Sequence, residues 1–129
     1  MKATTAGILM TALSLIAMTA YADTAPSIVG NYKCQRVEGS NTNNYPISIS
    51  KTGDTYTIEW DDSSGNPVMY GTGIMHPNMP NVLSSSFWNL SNADMLGVEI
   101  FGIKGDGSLQ ADWVTQSGKT SGTETCTKG

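Results

Sequence analysis

The stretch Thr55-Tyr56-Thr57-Ile58-Glu59-Trp60-Asp61 alternates residue by residue between an apolar set, Tyr56, Ile58 and Trp60, and a polar set, Thr55, Thr57, Glu59 and Asp61. Successive side chains of an extended backbone point to opposite faces, so a period of two marks a strand with one buried and one solvated side. Just upstream, Lys51-Thr52-Gly53-Asp54 has turn chemistry, because Gly and Asp tolerate positive φ. The same phase returns in Leu109, Ala111 and Trp113, set against Gln110 and Asp112.

Extending outward from these two segments predicts strands near 29–37, 45–51, 55–61, 67–75, 81–89, 95–104, 107–115 and 120–127. Between them, Asp61 to Pro67, Lys104-Gly105-Asp106-Gly107 and Gln116-Ser117-Gly118-Lys119 are short connections. Parallel crossovers need a dozen or more residues, so short links imply an antiparallel up-and-down meander. An even number of such strands closes by pairing the first with the last, and eight gives an interior that side chains fill or that holds one small ligand. Two facing sheets built from the same hairpins are the alternative. The polar run Glu38 to Asn44 and the proline-bearing run His76 to Asn81 are expected to be longer loops at the barrel ends.

Residues 1–22 have the pattern of a bacterial-type export signal: Lys2, a mostly apolar run from Ile8 to Ala20, and an A-x-A site at Ala20-Tyr21-Ala22. Cleavage there leaves a single domain, 23–129, with six basic and eleven acidic residues, hence a net charge of −5. That balance excludes nucleic acid as a partner, since such binding depends on Lys and Arg meeting phosphates. No second hydrophobic stretch suggests a membrane helix after cleavage. Export to the periplasm or beyond places Cys34 and Cys126 in an oxidising compartment, where an even count favours a disulfide. Pairing would tie the first strand to the last, as closure allows, and would enclose 91 residues.

Several fragments together resemble a family of small exported bacterial β-proteins, some of them labelled fibronectin-binding: Gly30-x-Tyr32, the run Thr52 to Trp60, Tyr70-Gly71-Thr72-Gly73-Ile74, Gly97-Val98, Gly107-x-Leu109, Trp113 and Gly122-Thr123-Glu124. The overall shape is also similar to avidin and lipocalin barrels, which implies small-molecule binding without supplying any binding residue. Tyr32-Lys33-Cys34 with the late Cys126 further resembles the terminal disulfide of lysozyme inhibitors.

Catalytic motifs are wanting. His76 is the sole histidine and no G-x-S-x-G elbow occurs, so no hydrolase triad can be assembled and no catalytic residue is assigned. Glu99, Asp112 and Glu124 are the acids available for carboxylate chemistry, each on an expected strand. Met75, His76 and Met79 form a weak soft-metal pattern, and neither a metal nor a cofactor is assigned. Glu124 shares a strand phase with Cys126; if that phase faces inward, it is a buried acid needing a donor such as a Trp N–H or Arg36. The expected function is that of a non-enzymatic exported binding protein for a small hydrophobic or aromatic molecule or an extracellular macromolecule. Trp60, Tyr70, Trp88, Trp113 and Glu124 are its candidate contacts, in mixed phases that need not share one cavity. A surface adhesin or inhibitor working through loops 38–44 and 76–81 is one alternative, and a carboxylate enzyme is another. Oligomeric state is left open.

Overall fold

The computed structural model describes residues 26–129, so the expected export signal at 1–22 lies outside the described residues. Eight strands follow one another: β1 (Gly30–Glu38), β2 (Asn41–Thr52), β3 (Thr55–Asp61), β4 (Pro67–His76), β5 (Met79–Asn89), β6 (Leu96–Ile103), β7 (Leu109–Thr115) and β8 (Ser121–Lys128). Each pairs antiparallel with its neighbours and β1 pairs with β8, so the sheet is a closed barrel. Cys34 lies opposite Cys126 in that closing ladder, and a disulfide joins them. No helix among the described residues is long and apolar enough to cross a membrane.

Two expected loops are corrected. Asn41 to Asn44 belongs to β2, which turns tightly from β1 through Gly39-Ser40 and pairs as far as Glu38 with Asn41. Likewise Met79 and Pro80 open β5, and only Pro77-Asn78 separates it from β4. In both places cross-strand pairing overrides a polar or proline-rich composition, with Pro80 tolerated at the start of its strand.

The period of two sorts the interior. Tyr32, Cys34 and Arg36 on β1, Ile47 and Ile49 on β2, and Ile58 and Trp60 on β3 point inward. So do Leu83 and Phe87 on β5, Phe101 and Ile103 on β6, and Leu109, Ala111 and Trp113 on β7. Trp60 packs on Phe101 with centroids 6.5 Å apart, and Phe87 meets Trp113 edge-on at 6.1 Å. These rings require missing side chains opposite them. A Cβ on Gly71 would stand 3.0 Å from Trp60, and one on Gly122 would stand 2.8 Å from Trp113 Cζ2 and clash with the Val37 carbonyl.

One mouth is crossed by the segment before β1. Ile28 is buried there, its carbonyl accepts the Tyr32 hydroxyl proton at 2.7 Å, and Lys128 Nζ donates to the Val29 carbonyl at 3.2 Å. A cavity of about 370 Å³ remains beside this segment, between Tyr56, Met75, His76 and Ile103.

Candidate functional site

Three charged side chains occupy the middle of this apolar interior. Arg36 comes from β1, Glu99 from β6 between the inward Gly97 and Phe101, and Glu124 from β8 two residues before Cys126; the two acids are 0% exposed and the arginine 4%. Arg36 Nη1 donates to both carboxyl oxygens of Glu99 at 3.1 and 3.0 Å and lies 3.6 Å from Glu124 Oε2. Trp60 Nε1–H donates to Glu124 at 3.0 and 3.2 Å. Arg36 Nε and Nη2 have no hydrogen-bond partner among the described residues. The guanidinium carbon instead sits 4.2 Å from the Trp113 ring centre and 4.7 Å from that of Phe87, where π faces offset part of its charge.

Two carboxyls facing one guanidinium do not both ionise comfortably in such a place. Burial pushes Glu99 well above the ordinary carboxylate range, and the neighbouring charge of Glu124 pushes it further against the pull of Arg36. Burial also raises Glu124, opposed by Arg36, by the Trp60 N–H and by a hydrogen bond from Glu99. Both carboxyls are therefore raised as a coupled pair, Glu99 the further of the two.

The five expected ligand contacts part company here. Trp60, Trp113 and Glu124 converge in the core, where they pack and hydrogen-bond. Tyr70 and Trp88 face outward as register partners on β4 and β5, with ring centres 6.4 Å apart. Arg36 and Glu99 are not among those contacts, although their phase is readable in the sequence: Arg36 alternates with Cys34, and Glu99 with Phe101. Asp112 lies exposed on the outer wall, so of the three candidate acids only Glu99 and Glu124 meet, in a core with no exposed carboxylate surface.

Cys34, Glu124 and Cys126 bring ligand atoms within 4.8 Å of one another, but both sulfurs are committed to the disulfide. His76 Nδ1 accepts the Asn78 N–H at 3.2 Å, so that nitrogen is engaged within its own turn.

A concavity of about 640 Å³ lies over the seam of β8, β1 and β2. Lys33, Gln35, Asn44, Pro46, Thr125 and Thr127 line it from exposed, outward positions, and Tyr45 and Ser63 close one side. β2 pairs with β3 only from Ile47 onward, so the six residues Asn41 to Pro46 have β1 on one edge and no strand on the other. That departure of β2 from β3 opens the concavity between Tyr45 and the β3–β4 connection.

No protein-family model matches the chain, and no curated protein matches it. Solved structures do. A redesigned beta barrel, b11L5F_LGL, is 14% identical with a TM-score of 0.65, covering 79% of this chain and 91% of its own. The redesigned beta barrel mFAP1, bound to DFHBI, is 14% identical with a TM-score of 0.62, covering 78% and 94%. At that identity the likeness is one of fold.

Proposed function

We propose that the chain is an exported, non-enzymatic binding protein that holds a small apolar or aromatic ligand in the concavity over the β8–β1–β2 seam. The observation that carries this reading is the contrast between a lumen filled by Trp60, Phe87, Phe101, Trp113 and the Arg36 cluster and an open, mostly apolar hollow on the wall. Its volume falls in the range of roughly 300–1,000 Å³ usual for small-molecule sites. Lys33 is the one charged residue lining it, so the matching ligand has a flat apolar body and an acidic group. The mFAP1 barrel, bound to DFHBI, supports a small ligand on this architecture; in this chain the interior is filled, so the proposed site lies on the wall. The disulfide is compatible with an exported protein. On the motifs it shares, the chain stands with the exported β-proteins it resembles, and Gly71 and Gly122 of those motifs serve packing.

The test is an NMR titration with 1-anilinonaphthalene-8-sulfonate, an aromatic body bearing a sulfonate. Saturable shifts at the amides of Gln35, Asn44, Thr125 and Thr127, abolished by Thr125→Trp, are expected. Shifts confined to the core around Trp60 or to the β4–β6 wall overturn the assignment.

A further inference from the structure

The outward positions of β4, β5 and β6 form a face without a single charge. Its registers run in rows: Tyr70, Trp88 and Leu96; then Thr72, Ser86, Val98 and Val114; then Ile74, Ser84 and Ile100. Ile74, Val98 and Ile100 are each more than half exposed, and Trp88, Leu96 and Val114 more than a third. Ser84 and Ser86 keep the middle of the face low, so that a shallow groove of about 430 Å³ runs between Ile74 and Val98. The six apolar side chains leave on the order of 500 Å² open, towards the upper end of what a monomer's largest patch shows. That is enough for the apolar centre of an interface of standard size, roughly 800 Å² per partner.

The margins of this face select among occupants. Glu59 and Asp61 flank it on β3, with Glu59 in register with Tyr70, and Asp112 flanks it on β7 in register with Ile100. Glu59 and Asp61 stand two positions apart on the same face of β3, the neighbouring Asp61 carboxyl raises Glu59, and Asp61 Oδ1 is shielded from solvent with no hydrogen-bond partner among the described residues. None of the six described basic residues, Lys33, Arg36, Lys51, Lys104, Lys119 and Lys128, stands at an outward position of β3 to β7. A second copy laid on this face therefore brings acid against acid. A cation beside Glu59 meets two carboxylates together with the faces of Tyr70 and Trp88, an arrangement that suits lysine or arginine.

We propose that the β4–β6 wall is a protein-docking face, and that its partner is a segment with apolar side chains at its centre and lysine or arginine at its margins. It is a different surface from the seam concavity, and either can fail without the other. The probe is a short synthetic peptide alternating valine and threonine between paired lysines, with a counterpart carrying glutamates in place of the lysines. Trp88 reports binding, because Trp60 and Trp113 are buried. The lysine peptide is expected to shift Trp88 emission to the blue and to move amides of β4 to β6, with at least tenfold preference over the glutamate peptide. Val98→Asp, an exposed position that leaves the core untouched, should weaken binding at least tenfold. Glu59→Gln with Asp61→Asn should flatten its salt dependence. Three results overturn the proposal: no shift at the highest soluble peptide concentration, equal binding of both peptides, or occupation of the face by something else. The last would be seen in sedimentation as a dimer lost in Val98→Asp, or as binding to phosphatidylcholine vesicles.

Discussion

Replacing Glu99 by glutamine tests the buried cluster at its most informative atom. Glu99 ordinarily titrates near 4.5 in an unfolded chain and is raised well above that in the folded one, first by burial and then by Glu124. A raised carboxyl contributes stability that is fully present below its unfolded value and is lost as the pH climbs towards its folded value, because the unfolded chain releases the proton first. Across that window the linkage is about 1.4 kcal/mol per pH unit for one proton. For a domain of about 100 residues this lowers Tm by roughly 5–10 °C per unit. In Glu99→Gln the side-chain amide keeps an oxygen for Arg36 Nη1 and has no proton to lose, so the variant should show a much flatter dependence and overtake the parent as the pH rises above the ordinary carboxylate range. Thermal melts of both proteins across that range, followed by circular dichroism, measure the difference in slope that belongs to the Glu99–Glu124 pair, while groups outside the cluster contribute alike to both. Parallel slopes would refute the upward shift of Glu99.

Gly122→Ala should prevent folding or cost at least about 3 kcal/mol, because the added Cβ meets both the Val37 carbonyl and Trp113, whereas Gly102→Ala meets nothing nearer than 3.6 Å and should fold normally; denaturant titrations of the pair check this. Removing the disulfide as Cys34→Ser with Cys126→Ser should cost roughly 4–5 kcal/mol for a separation of 92 residues, read as a lower urea midpoint. Trp60→Phe keeps an aromatic ring but removes the indole donor to Glu124, and should cost about 1–3 kcal/mol through the under-satisfied carboxylate; a smaller loss would mean that Arg36 alone satisfies that acid.

Strand phase is the legible part of this chain. Tyr56, Ile58 and Trp60 announce their buried face by local alternation, as do Leu109, Ala111 and Trp113, and eight such segments joined by short turns leave little besides a meander. Glu124 follows from Cys126 by the same two-residue step. What alternation does not carry is register. Nothing near Glu99 in sequence shows that β6 carries it across the lumen to Arg36, 63 positions away, or that Tyr70 stands beside both Glu59 and Trp88. Asn41 to Asn44 mislead for a related reason: their composition is that of a loop, and only pairing with β1 makes them strand. Aromatic identity is likewise uninformative about function, since Trp60 and Trp88 have the same chemistry and opposite surroundings.

The stapled pairing of β1 with β8 also has a consequence for the newborn chain. Until the eighth strand has been made, β1 offers a bare edge and Cys34 has no partner, however well the seven earlier strands have formed. Oxidation of this one bond therefore records that the whole sheet has arrived. A molecule truncated anywhere before Cys126 leaves Cys34 as an unpaired thiol, chemically distinguishable from every finished copy.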